Sequence, residues 1–198
     1  MDKERLEKQV AFLLEADKEK QILRQTHITS GSRQENDAEH AWHMALMIYL
    51  LQEYSNEKID LAKTMAMALI HDIVEIDAGD TYAYDESSLA SQKERESKAA
   101  DRLFGLLPPD QGRVLRDLFE EFEANESAEA KFAHVADNFQ PLLLNDANDG
   151  FDWRAHKVCK RQVMGRQEKS KLGSQFIWEY SKALVEKNVE KGNIKKDD

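Results

Sequence analysis

Residues 68–80, ALIHDIVEIDAGD, run from an apolar stretch directly into five ionisable side chains: His71, Asp72, Glu75, Asp77 and Asp80. A carboxylate set into such a stretch without a partner is strongly disfavoured, because a low-dielectric interior does not solvate it. A divalent cation removes that penalty, and neutral imidazole and carboxylate are both suitable ligands for one. Adjacent residues on a helix project about 100° apart, so an ion shared by His71 and Asp72 must draw its other ligands from neighbouring elements. Two further segments offer them: His40 in AEHAWH, and Asp137, again among apolar residues, in FAHVADNFQPLLL. The chain order is His, His-Asp, Asp.

This H…HD…D order resembles the HD-domain metal-dependent phosphohydrolases. ENDAEH around His40 and LIHDIVEIDAGD, with its H-D-x-x-E-x-x-x-x-D extension, look most like the branch related to bacterial 5'-deoxynucleotidases. The resemblance spans a metal-site core of residues 22–145. It implies that His40, His71, Asp72 and Asp137 bind one divalent metal ion (Mn, Co, Ni, Zn, Mg or Fe), with positions left open for water and a phosphate oxygen. It also implies that Glu75 and Asp80 are the catalytic carboxylates at the substrate and water, that Arg24 holds the substrate phosphate, and that the protein is a homodimer. Gln25 stands where the nucleotidases carry an aromatic residue, and the spacing to His40 is one residue longer; Arg33 is a second candidate for the phosphate. His43 and His134, three residues from His40 and Asp137, fall near the site by helical spacing, where hydrogen bonding or packing is the expected role.

The elements that must position these residues are helical. The chain has only 8 Gly and 3 Pro, and apolar residues recur at three- and four-residue intervals, as in Leu6, Val10, Leu13 and Leu14. The expected fold is an all-α, compact, single-domain bundle of the HD-domain type over residues 1–190, with a frayed tail at 191–198. A first amphipathic helix is expected over 3–23, ending near Arg24, and the polar segment QTHITSGSRQEN is expected to be a loop. Asn36 and Glu39 form a capping-box pattern opening a helix over 37–54, with Trp42, Met44 and Met47 at core spacing. Asp60 caps a nearly all-apolar helix over 61–75, the most buried of the set. Later helices are expected at 88–105, 110–124, 128–144, 156–170 and 174–190, with NDANDGFDW as a loop.

The composition limits the partners. Lys and Arg number 28 against 38 Asp and Glu, a net charge of −10, and no basic block is long enough to track a phosphate backbone, so polymeric nucleic acid is excluded. No apolar run reaches the length of a membrane span, and a single cysteine, Cys159, cannot form an intrachain disulfide; a cytoplasmic protein is expected. The expected function is metal-dependent removal of phosphate from a small phosphomonoester, with a (deoxy)nucleoside 5'-monophosphate as the first choice. The alternatives are hydrolysis of another phosphoester or a polyphosphorylated nucleotide, and a non-catalytic metal-containing nucleotide-binding protein.

Overall fold

The computed structural model describes residues 2–79 and 86–197. Helix α1 (Lys3–Ala16) starts where the Asp2 side chain accepts a hydrogen bond from the backbone N–H of Arg5. It ends seven residues before the expected limit: a 3-10 turn at Asp17–Gln21 tightens the chain, which then becomes extended. Two short strands follow, β1 (Leu23–His27) and β2 (Gln34–Asn36), paired antiparallel with Leu23 opposite Asn36 and His27 opposite Gln34. The hairpin replaces the expected loop, and its turn holds Gly31 at φ +68°, a conformation glycine adopts without strain. Its polar residues carry no two-residue hydrophobic alternation, so the strand signal is absent from the sequence.

Helix α2 (Asp37–Leu51) begins on the capping box as expected: the Asn36 side chain accepts from Glu39 N at 3.0 Å, and the Glu39 carboxylate accepts from Asn36 N at 3.3 Å. Asn36 also closes β2, so hairpin and helix are joined without slack. Helix α3 (Leu61–Ile70), capped by Asp60, gives way at His71 to a tighter turn, in which Ile73 N bonds Ile70 O and Glu75 N bonds Asp72 O; α4 (Glu75–Ala78) follows. The expected continuous helix to residue 75 is therefore broken at the charged pair.

The chain continues through α5 (Glu86–Phe104), α6 (Pro109–Ala124), α7 (Ala128–Ala147), α8 (Phe151–Ala155), α9 (Lys160–Glu168) and α10 (Gln175–Glu190). Most of NDANDGFDW is thus helical, belonging to the end of α7 and to α8. The expected 156–170 helix shortens to α9 and a terminal 3-10 turn, Lys169–Leu172. The tail expected to fray is docked through Lys195: Ile194 is 1% exposed, and Lys195 N donates to Val158 O at 3.0 Å.

Helices α2, α3 and α7 pack together around Met44, Ile48, Met67, Phe132 and Val135. A second apolar cluster gathers Phe12, Ile73, Val74, Leu103, Phe104 and Phe119 from α1, the turn after α3, α5 and α6. Met67 and Ala68 belong to the first cluster and Ile70, Ile73 and Val74 to the second, so His71 and Asp72 lie at their junction. Met44 and Met47 of α2 lie in the core as their spacing implies, but Trp42 and much of the apolar face of α1 do not. Trp42 is 63% exposed, and much of Leu46, Tyr49 and Leu50 on α2 and of Leu6, Val10, Leu13 and Leu14 on α1 is exposed as well; Phe12 is the one buried residue of α1, which Arg5–Asp110 and Glu15–Arg102 ion pairs also tie to its neighbours. Among the described residues, no helix is long and apolar enough to cross a membrane.

Candidate metal centre and the cavity beside it

Three elements bring the HD residues together. His40 comes from the first turn of α2, His71 and Asp72 from the tight turn after α3, and Asp137 from the middle of α7. Donor atoms of His40, His71 and Asp72 lie within 4.8 Å of one another. His40 Nε2 is 3.3 Å from Asp137 Oδ1 and 4.0 Å from Asp72 Oδ2, while His71 Nε2 is 3.1 Å from Asp72 Oδ1. Both Nε2 atoms are buried and outside hydrogen-bond geometry with those carboxylates. Two imidazole nitrogens with no bonded proton acceptor, converging with two carboxylates, are the donor set of a divalent cation, and these residues fit one.

The opposite nitrogen of each ring is held. His71 Nδ1 donates to the Ala68 carbonyl at 2.9 Å, and His40 Nδ1 faces Gln140 Oε1 at 3.0 Å. The Gln140 amide orientation is dictated by its other end: Nε2 donates to Glu35 Oε1 at 2.6 Å and faces His43 Nδ1 at 3.2 Å. An amide nitrogen committed to a carboxylate leaves its oxygen toward His40, so His40 must carry its proton on Nδ1 and keep Nε2 available. His43 thus touches the support of the site. His134 lines the cavity, donates from Nε2 to the Phe122 carbonyl at 2.9 Å and stacks on the Phe122 ring.

Arg24 lies on β1, not at a helix end, and is buried between carboxylates: its Nη1 is 2.6 Å from Asp72 Oδ2 and 3.3 Å from Asp37 Oδ1. Burial opposes its charge, but Asp72, Asp37, Asp137 and Glu75 more than offset that and raise its pKa further. Burial pushes His40 down to about 4, with help from Arg24, so its ring is neutral. His71 is buried too, yet Asp72 overrides that penalty and raises it to about 9. Despite the same burial, Asp72 is held well below the usual carboxylate range by His71 and Arg24, and Asp137 by His40 and Arg166. Glu75, at the start of α4, is buried at the cavity wall. Asp80 lies outside the described residues. Arg33 pairs with Glu39 at 2.6 Å on the surface and is not brought to the site.

The cluster opens on a cavity of about 620 Å³. Glu75, Glu96 and Glu123 give one side an acidic character, with Glu96 and Glu123 raised above the ordinary carboxylate value, first by burial. Arg166 and Lys169 contribute positive charge from the α9 side. Sequence reasoning missed Glu35, Asp37, Gln140 and Arg166. The one available signal was Gln140, three residues after Asp137 on the same helix face, where it can reach a neighbouring ligand.

The HD domain family model matches residues 16–178, most of the chain. Human 5'-deoxynucleotidase HDDC2 is 31% identical over 111 residues, covering 56% of this chain and 53% of that protein; the Dictyostelium discoideum protein of the same name is 27% identical over 114 residues, covering 55% and 60%. The chain therefore spans about half the length of the curated relatives it matches. Among solved structures, a predicted metal-dependent phosphohydrolase from Magnetospirillum magnetotacticum matches with a TM-score of 0.92 and 48% identity, covering 96% of this chain and 95% of that one. An HD-domain phosphohydrolase from Listeria innocua, at 17% identity and a TM-score of 0.58 over 91% and 85% of the two chains, shares the fold. With the family model covering His40, His71, Asp72 and Asp137 and the structure drawing the four together, this chain belongs to the HD domain family.

Proposed function

We propose that the protein is a metal-dependent phosphomonoesterase acting on a small substrate, with a (deoxy)nucleoside 5'-monophosphate as the preferred class. The observation that carries this reading is the convergence of two neutral-capable imidazole nitrogens and two carboxylates at the wall of a cavity large enough for a nucleotide. His40, His71, Asp72 and Asp137 would hold the ion. A divalent cation there supplies Lewis-acid polarisation of a phosphoryl oxygen and of the attacking water.

The chain's own groups do the rest. Arg24 fixes the Asp72 carboxylate by a 2.6 Å ion pair and places positive charge beside the phosphate. Gln140 keeps the His40 proton on Nδ1. Glu75, and Asp80 by its place in the motif, orient the water and pass a proton to the departing oxygen. The water oxygen bonds to phosphorus, the phosphorus–oxygen ester bond breaks, and the products are phosphate and an alcohol. The acidic wall of Glu75, Glu96 and Glu123 disfavours a polyphosphorylated substrate.

The human relative's designation as a 5'-deoxynucleotidase supports the substrate class. The test is phosphate release by chelator-stripped protein restored separately with Mn, Co, Ni, Zn, Mg or Fe, on a panel of ribo- and deoxynucleoside monophosphates. Release with at least one metal upholds the reading; a folded, metal-loaded protein inert on the whole panel sinks it. The proposal extends to a homodimer, supported by the exposed α2 stripe of Trp42, Leu46, Tyr49 and Leu50. Light scattering should give twice the 22.8 kDa chain mass, and a mass of one chain would refute the dimer.

A further inference from the structure

Among the described residues, the arginines and lysines lining the cavity are Arg24, Arg166 and Lys169. Arg24 has its Nη1 committed to Asp72 and Asp37. Arg166 is far less engaged. Its Nε donates to Asn138 Oδ1 at 3.0 Å, and the Asn138 amide cannot turn away, because its Nδ2 donates to His134 O at 2.9 Å. The next residue, Gln167, donates from Nε2 to Asn138 O at 2.6 Å, so α9 is fastened to α7 at this point. The guanidinium is thereby fixed with Nη2 3.6 Å from Asp137 Oδ1, the oxygen that also lies 3.3 Å from His40 Nε2. That separation is an ion pair but too long for a hydrogen bond, and among the described residues Nη1 has no hydrogen-bond partner. The side chain keeps 25% of its surface accessible at the cavity wall.

Lys169, three residues further on in the 3-10 turn that ends α9, is exposed on the same cavity and forms no ion pair among the described residues. This chain has acidic groups to spare for its cations: Arg5, Arg33, Arg102 and Arg116 each close onto a carboxylate at 2.6–2.7 Å. Two neighbouring cations left unspent at the wall of an otherwise acidic cavity therefore call for an anionic ligand. Resting on the phosphomonoesterase reading, we propose that Arg166 is a further catalytic residue that binds the phosphoryl group directly, with Lys169 adding positive charge at the same wall. The Nη1 and Nη2 edge of Arg166 offers parallel N–H groups to two phosphate oxygens beside Asp137, the match that a guanidinium makes and an ammonium does not. Donors already fixed in place also stabilise the charge that gathers on those oxygens as water attacks. Arg24 holds the Asp72 carboxylate, and Arg166 takes the substrate.

The experiment measures three quantities on wild type, Arg166→Gln and Lys169→Gln: Mn²⁺ affinity of the stripped chain, affinity of the metal-loaded protein for inorganic phosphate by calorimetry, and kcat/KM on a deoxynucleoside 5'-monophosphate. Arg166→Gln should bind phosphate about tenfold or more weakly and lose at least as much in kcat/KM, because hydrogen bonds to a charged group are lost. Mn²⁺ should bind this variant as tightly as wild type or more so, since the missing cation repelled an ion beside Asp137. Lys169→Gln, exposed and screened, should lose about threefold in phosphate affinity at low salt and less at high salt; no loss would overturn the lysine's part. Unchanged phosphate affinity and kcat/KM in Arg166→Gln, with wild type turning over, overturn the assignment and leave the hydrolase reading standing. Weakened Mn²⁺ binding overturns it too, because Arg166 would then serve only to hold Asp137. If Arg166→Gln does not fold, wild type decides: phosphate should shield Arg166 from phenylglyoxal in peptide mass mapping, and equal modification with and without phosphate overturns the assignment. Wild type that binds phosphate through Arg166 yet releases none from any phosphomonoester upholds the anion site and sinks the hydrolase reading alone.

Discussion

Replacing Gln140 by leucine removes the group that decides which His40 nitrogen is free. The amide accepts from His40 Nδ1 at 3.0 Å and donates to Glu35 Oε1 at 2.6 Å, all three side chains being buried. In Gln140→Leu the imidazole can rotate or exchange tautomers, so Nε2 is no longer presented in one state. Loss of such a supporting partner costs about 10–100-fold in metal affinity, or about 1.4–2.7 kcal/mol. The metal-free fold suffers separately, because the His40 N–H and the Glu35 carboxyl both lose a partner at about 1–3 kcal/mol each. Burial already pushes Glu35 up to about 7, partly countered by Arg24 and by Gln140 itself, so the variant's Glu35 goes neutral near pH 7 and the total settles at about 2–4 kcal/mol. Chelator competition measures the first quantity and urea unfolding of the stripped protein the second. Glu35→Gln, which keeps an oxygen toward Gln140, should bind metal within about threefold of wild type. A folded Gln140→Leu protein with wild-type metal affinity would refute the tautomer argument.

Arg24→Gln leaves Asp72 and Asp37 buried without their shared cation, so unfolding of the metal-free variant should be easier by about 3 kcal/mol, and Arg24→Lys should recover part of that loss; unchanged denaturant midpoints would show that the ion pairs carry no net stability. Glu19 is raised to about 8, first by burial and then by Asp72, so the folded state holds its proton more tightly than the unfolded chain does. Its contribution is complete below the ordinary value of 4.5 and is lost as pH rises to about 8. In chelator-treated protein Glu19→Gln should therefore match wild type near pH 4 and exceed it by about 1–3 kcal/mol above pH 8, as read by thermal or urea unfolding. A constant difference across that range would mean that Glu19 does not titrate as the structure indicates.

The residues that converge at the candidate metal centre stood out in the sequence because their types contradict their surroundings: His71-Asp72 after ALI, and Asp137 between apolar runs, are costly unless something compensates. The Asn36–Glu39 box likewise announced the start of α2, which sets the place of His40. Arg24 was readable as a residue of the site but not in its setting, since the hairpin that carries it has neither alternation nor a tight two-residue turn signal. Gln140 and Glu35 are ordinary polar residues until the fold sets them 2.6 Å apart across 105 positions. Trp42 and the α1 leucines show the limit of periodicity, which marks an apolar face without saying whether this chain covers it.

The central claim is that one ion, held by His40, His71, Asp72 and Asp137, makes the cavity a phosphoesterase. Its most direct test is to titrate stripped protein with Mn²⁺ and follow bound manganese by electron paramagnetic resonance and phosphate release from a deoxynucleoside monophosphate in the same samples. The two signals should saturate together at one ion per chain, and Asp72→Ala should lose both while remaining folded. Full manganese binding without phosphate release, or undiminished release from Asp72→Ala, would contradict the account.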